Sequence, residues 1–189
     1  MNKQAEAAWE LHCFLADLNV PYAVIGGIAV QHWGEPRFTL DLDVTIIAPL
    51  ENPIPVIEQI ATRFTPRIGD AVNFARRNRV ILVQASNECP IDISLGLPGY
   101  EEEVMRRAVT VEIAQGKSIQ VCSAEDLIVH KAVAGRPQDL RDIEGIIYRQ
   151  GTALDAGYVR YWLDQFAEVM QTSDVVTRFE AAWNRRATE

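Results

Sequence analysis

The sequence predicts an α/β (α+β) chain: a small mixed β-sheet flanked by helices over residues 1–122, followed by a helical region over 123–189. Two observations predict it. Short runs rich in Val, Ile and Thr alternate with amphipathic helical stretches as far as Cys122, and beyond that point only helical patterns follow. The 189 residues, 48% hydrophobic and 23% charged, suit a compact domain with a helical extension and supply enough apolar side chains for a core. The second region is too short to stand alone and is expected to pack on the first.

Ala8, Leu11, Leu15 and Leu18 recur at helical spacing, so Gln4 to Leu18 reads as an amphipathic helix. Val20 to Ile25 is a β-rich run that stops at Gly26-Gly27, and Ile28 to Trp33 reads as a short helix ending before Gly34. Phe38 to Ile47 alternates, with Leu40, Leu42, Val44 and Ile46 on one face and Thr39, Asp41, Asp43 and Thr45 on the other. Pro53 suits the first turn of a helix whose apolar face is Val56, Ile57, Ile60 and Phe64. Val80–Ala85 and Ile91–Leu95 are predicted strands joined by the polar turn Ser86-Asn87-Glu88, and a second hairpin joins Val109–Ala114 to Ile119–Cys122 through Gln115-Gly116-Lys117. Ser123 followed by Asp126 is a variant capping box, and helices are expected over 124–134, 138–150, 155–171 and 174–186, with Gly151 as a stop signal.

Composition argues against several function classes. No stretch approaches the roughly 20 apolar residues that span a bilayer, and the start, Met1-Asn2-Lys3-Gln4-Ala5-Glu6, lacks the apolar run of a secretory signal. No membrane partner is expected. Cys13, Cys89 and Cys122 are odd in number and lack paired spacing, which fits reduced thiols in a cytoplasmic protein better than a disulfide framework or a zinc site. The net charge of −8 argues against a protein that coats nucleic acid. The densest basic spots, Arg76-Arg77 with Arg79 and Arg106-Arg107, read as solvated faces or as phosphate contacts for an RNA acceptor.

Asp41 and Asp43 carry the chemistry. Two residues apart in a strand pattern, they point to one face of the sheet, about 7 Å apart at the backbone. Neighbouring like charges repel unless a cation sits between them, and strand interiors disfavour Asp. Asp92, framed by Ile91 and Ile93, repeats the pattern and joins the cluster if its strand lies beside the first. Carboxylates so placed hold Mg²⁺ or Mn²⁺ against substrate phosphates. Gly26-Gly27, between a strand and a helix start, lets the backbone approach a phosphate with free N–H groups.

The runs Ala23-Val24-Ile25-Gly26-Gly27 and Arg37-Phe38-Thr39-Leu40-Asp41-Leu42-Asp43-Val44, with the later Ile91-Asp92-Ile93-Ser94, resemble the signature of the DNA polymerase β nucleotidyltransferase superfamily. The likeness is to its minimal nucleotidyltransferases and its abortive-infection (AbiEii-like) toxin branch. Glu125-Asp126-Leu127-Ile128, then Lys131, then Arg136-Pro137-Gln138-Asp139-Leu140-Arg141-Asp142-Ile143, are similar to the helical motifs of that toxin branch. The resemblance covers residues from about 22 to 150. It implies the nucleotidyltransferase fold, a divalent metal on Asp41, Asp43 and Asp92, and a nucleoside triphosphate such as ATP bound with help from Lys131. It also implies a cognate antitoxin as a partner. Members commonly carry Ser or Thr just past the first glycine, where this chain has Gly27 and Ile28.

Arg37 and Thr39, leading into the Asp strand, are expected at the nucleotide, Arg37 through bidentate phosphate contact or alternatively in a salt bridge to a nearby carboxylate. Asp139 and Asp142 share a helix face; Asp142 is expected in an exposed charge network or as a helix-start acid favoured by the dipole, and the role of Asp139 is open. The expected function is transfer of a nucleoside monophosphate to an acceptor hydroxyl, on tRNA, a small molecule or a protein, with Asp41, Asp43 and Asp92 catalytic. The alternatives are a nucleotide-binding module of the same fold without turnover, and a structural α/β protein whose three aspartates point apart.

Overall fold

The computed structural model describes residues 2–186; Met1 and 187–189, the outer ends of the two predicted regions, lie outside them. The described residues form two compact units, one from the segment up to Ile28 together with Phe38–Cys122, the other from Ala29–Arg37 together with the segment from Ser123 on.

The first unit is built on a mixed seven-stranded sheet of β1 (Tyr22–Ile25), β2 (Leu42–Ile47), β3 (Thr65–Pro66), β4 (Val80–Gln84), β5 (Pro90–Gly96), β6 (Val109–Ala114) and β7 (Lys117–Val121), ordered β3-β4-β5-β2-β1-β7-β6. The two predicted hairpins are β4–β5 and β6–β7, both antiparallel. The centre is not predictable from hairpins: β2 runs parallel to β5, and β1 lies between β2 and β7. Leu42, Val44 and Ile46 of β2 and Ile91 and Ile93 of β5 are fully buried, which holds this register, since a slip of one residue would turn the apolar set outward.

Helices α1 (Lys3–Asp17), α3 (Ile54–Arg63), α4 (Ala71–Asn78) and α5 (Tyr100–Arg107) pack on the sheet. Asn2 caps α1 by accepting from the Ala5 N–H at 2.8 Å, and α1 buries Ala7, Ala8, Leu11 and Leu15. Helices α4 and α5 have no counterpart in the sequence prediction. Each is eight residues long with two buried residues spaced by four, Ala71 and Ala75 in one and Tyr100 and Val104 in the other, too few to establish a period.

Helix α2 (Gly26–Trp33) begins in the first unit and ends in the second. The strand expected from Phe38 starts only at Leu42. Phe38 and Leu40 are 79% and 69% exposed while Thr39 is buried, so Leu40 does not share the inner face of Leu42. Both possible ladder partners have ended here. Pairing with β1 stops at Ile25↔Asp43, where the chain turns into α2, and pairing with β5 stops just after Pro90, which has no N–H to extend it.

The second unit contains α6 (Ala124–Ala134), α7 (Pro137–Gln150), α8 (Ala156–Met170) and α9 (Asp174–Arg185). Ser123 caps α6 through the Asp126 N–H as its sequence predicts, and Gly135 ends it with φ 64°. Leu127, Ile128, Ile143, Ile146, Val159, Leu163, Val175 and Phe179 form the core. The end of α7 closes the end of α2: Arg149 donates to the Gly34 carbonyl at 2.8 Å and Gln150 to the Trp33 carbonyl at 2.6 Å. Among the described residues no helix is long and apolar enough to cross a membrane.

Candidate active site

Parallel pairing of β2 with β5 sets Asp43 directly opposite Asp92, and Asp41 lies two residues before Asp43, just outside the strand. One carboxylate oxygen from each of Asp41, Asp43 and Asp92 falls within 4.8 Å of the others, and all three residues are half-buried. The alternative in which the aspartates point apart is therefore absent from this fold.

Each acid is held by a different device. Asp43 is held by the shape of the glycine turn. Ile25 pairs with Asp43, and the next residue, Gly26, turns the chain into α2 with φ 62°. A Cβ on Gly26 would stand 1.9 Å from Asp43 Oδ2. Gly27 is equally constrained, its Cβ position lying 2.5 Å from Thr39 Oγ1. Gly26 thus lets the Asp43 carboxylate, and Gly27 the Thr39 side chain, approach the backbone.

Asp41 is held by Thr39, whose hydroxyl donates to Asp41 Oδ1 at 2.9 Å. The Thr39 carbonyl in turn accepts from Gln4 Nε2 of α1 at 2.9 Å, which secures the segment where the sheet no longer does. Asp92 is held by Arg67, in an ion pair from the bend after β3. Burial raises the pKa of the Asp92 carboxyl, the Arg67 guanidinium opposes the rise, the Asp41 charge adds to it, and the net direction is up. On the same sheet face as Asp43, the buried Thr45 donates to Glu101 of α5 at 3.0 Å.

Three acidic oxygens in this space suit a hard divalent cation, whose oxygen shell at roughly 2.0–2.6 Å per contact is about 4–5 Å across. The glycine cradle that a Cβ would fill belongs to the same design. The residues present fit such an ion.

The other predicted residues lie in the second unit, in a buried ion cluster. Arg37 binds Asp142 bidentately, Nε to Oδ1 at 2.8 Å and Nη2 to Oδ2 at 3.0 Å. Lys131 Nζ lies 2.9 Å from Asp139 Oδ1 and 2.8 Å from Asp142 Oδ2. Arg136 binds Asp139 through its Nε at 2.7 Å and its backbone N–H at 3.1 Å, and Gln138 donates to Asp142 at 2.9 Å. Burial pushes both carboxyls up, but the hydrogen bonds outweigh it: those from Arg37, Lys131 and Gln138 bring Asp142 down to about 2, and those from Arg136 and Lys131 lower Asp139. Asp142, expected in an exposed network, is buried, as are Lys131 and Asp139. The signal was present in the sequence: Asp139, Asp142, Ile143 and Ile146 fall at spacings of 3, 4 and 7, so the acids lie on the apolar stripe of α7. Arg67 carried no comparable signal, because an isolated arginine after Pro66 has no spacing to mark it.

Solved structures show the same fold. An antigenic nucleotidyltransferase-like protein from Paracoccidioides brasiliensis aligns with a TM-score of 0.52 and 17% identity over 95% of this chain and 93% of its own. ANT(2″)-Ia in complex with adenylyl-2″-tobramycin aligns with a TM-score of 0.53 and 18% identity over 84% of this chain and 93% of its own. The solution structure of antibiotic-resistance factor ANT(2″)-Ia gives a TM-score of 0.51 and 17% identity over 98% and 94%. No curated protein matches the chain. Residues 10–180 match a family of nucleotidyl transferases of unknown function (DUF2204), and the chain belongs to that family.

Proposed function

We propose that this chain is a metal-dependent nucleotidyltransferase that moves a nucleoside monophosphate from a nucleoside triphosphate to an acceptor hydroxyl and releases pyrophosphate. The observation that carries the reading is the convergence of Asp41, Asp43 and Asp92 beneath the Gly26-Gly27 turn. Asp41, Asp43 and Asp92 would hold Mg²⁺ or Mn²⁺, which when bound would stabilise charge at the transferring phosphoryl group. Asp92 takes the proton of the acceptor hydroxyl as the new O–P bond forms at the α-phosphorus and the bond to the leaving pyrophosphate breaks. The start of α2 offers backbone N–H groups to the phosphates. Thr39 acts through Asp41, which it orients, and Arg67 is paired with Asp92.

ATP is the first donor to try, because ANT(2″)-Ia, of similar fold, was solved with adenylyl-2″-tobramycin. The acceptor is sought among small-molecule hydroxyls, tRNA ends and protein side chains. Three free thiols support a cytoplasmic setting. A nucleotide role for Lys131, and a toxin role with a cognate antitoxin, rest on the sequence resemblance, while one for Arg37 rests on its guanidinium chemistry; Arg37 is engaged by Asp142 and Lys131 by Asp139 and Asp142. Growth arrest on expression of the chain, absent with Asp41→Asn, would support the toxin role.

Thermal unfolding with each NTP, with and without Mg²⁺ or Mn²⁺, tests the main reading. Saturation at a hundred times Kd stabilises by about 2.7 kcal/mol. That shift should require metal and vanish in an Asp41→Ala, Asp43→Ala double variant; no shift with any nucleotide would overturn it. Ile28 in place of a hydroxyl after the glycines favours a second reading, a binding module without turnover. Nucleotide binding with no pyrophosphate released across the acceptor panel would select it.

A further inference from the structure

Arg67 has an unusual station. Its backbone N–H donates to the Leu82 carbonyl at 3.0 Å, and Leu82 is the β4 partner of Asp92, so the arginine is tethered one strand away from that acid. Its guanidinium nevertheless reaches across to Asp92, and 29% of the side chain remains open to solvent. The cation placed on the acidic cluster is thus tethered to the sheet at its backbone and partly open to solvent along its side chain.

Resting on the metal-site reading above, we infer that Arg67 couples metal binding to triphosphate binding. The guanidinium is a counter-ion of Asp92. A divalent ion that binds the same carboxylate meets a positive charge already in place, so the free ion binds weakly. A triphosphate relieves that repulsion, because its oxyanions bind the ion and the guanidinium together, and guanidinium geometry suits phosphate oxygens. Ion and nucleotide therefore strengthen each other, and by linkage each does so by the same factor. The three acids alone would bind ions without regard to substrate; Arg67 makes occupancy depend on it.

Calorimetric titration of Mn²⁺ into the full chain tests this, with and without α,β-methylene-ATP, for the wild type, Arg67→Met, Arg67→Lys and Asp41→Asn. Arg67→Met should bind free Mn²⁺ about 10-fold more tightly than the wild type and lose most of the tightening caused by the analogue, a coupling expected within about 5–150-fold. Arg67→Lys, which keeps the charge without the planar fork, should retain weak free-ion binding and part of the coupling. Binding that Asp41→Asn abolishes but both Arg67 variants leave unchanged would overturn the inference and leave the metal site standing. Absence of Mn²⁺ binding in every protein, with or without the analogue, would overturn both.

Discussion

The carboxylate of Asp43 occupies the space where a side chain on Gly26 would begin, 1.9 Å from that Cβ position. The relation follows from register, since Gly26 is the residue after the Ile25↔Asp43 pair, where the chain leaves β1. The glycine turn therefore serves the acid before it serves any phosphate.

Gly26→Ala should be damaging for two additive reasons, the φ of 62° and the collision with Asp43. The backbone strain alone is on the order of 1–3 kcal/mol. Urea unfolding should show at least that loss, and Mn²⁺ binding should weaken because Asp43 is displaced. Gly116→Ala is a control with a similar φ of 70° and nothing near its Cβ position, so it should show strain without loss of metal binding.

Asp43→Asn should stabilise the metal-free protein, because it removes one of three clustered negative charges. The gain is on the order of 1 kcal/mol, or roughly 2–4 °C in Tm for a chain of this size. The sign reverses with saturating metal and nucleotide, when the wild type is stabilised and the variant is not. Thermal unfolding under the two conditions gives both numbers.

Thr39→Val should lower Mn²⁺ affinity about 10–100-fold, the usual loss when a residue orienting a metal ligand is removed. Valine has no hydroxyl to donate to Asp41 Oδ1, so that carboxylate is free to rotate away from the cluster. Thr39→Ser keeps the donor and should restore most of the affinity. Titration of the two variants side by side separates the effect of the hydroxyl from that of packing against Gly27.

The ion cluster on α7 should make stability acid-sensitive. Asp142 titrates at about 2 when folded, below its ordinary 3.8, so it contributes stability that is complete above about pH 4 and is lost as pH falls toward 2. The contribution is on the order of 2 kcal/mol, and Asp139 acts in the same direction. Lys131→Met removes a buried partner of both acids and should cost about 3–5 kcal/mol at neutral pH. The carboxyls then rise toward ordinary values, so the acid-linked loss in the variant should be smaller. Urea unfolding between pH 2 and 7 measures both effects.

Much of the fold was legible in the residues. Helical spacing located α1, α3 and the helices after Ser123, and alternation located β2 and both hairpins, because burying one face imposes a period that survives in the sequence. The Asp41, Asp43 and Asp92 pattern was legible for a related reason: acids inside apolar strand runs break the rule of composition and so stand out. Helices α4 and α5 were not, since two apolar anchors each establish no period. The exposure of Phe38 and Leu40 was hidden because alternation describes side-chain directions but not where the ladder partners end.

The sequence by itself determined which residues carry charge in apolar surroundings and where the chain must turn at glycine, since both follow from local periodicity and backbone freedom. Only the tertiary structure decided who faces whom. The parallel β2–β5 pairing set Asp43 against Asp92, the tether at Leu82 delivered Arg67 to the same acid, and the inward face of α7 bound Arg37 to Asp142 across 105 positions in the chain. These pairings join segments distant in sequence, where spacing carries no information, and they are chosen by burial of apolar faces and the need of each buried charge for a partner.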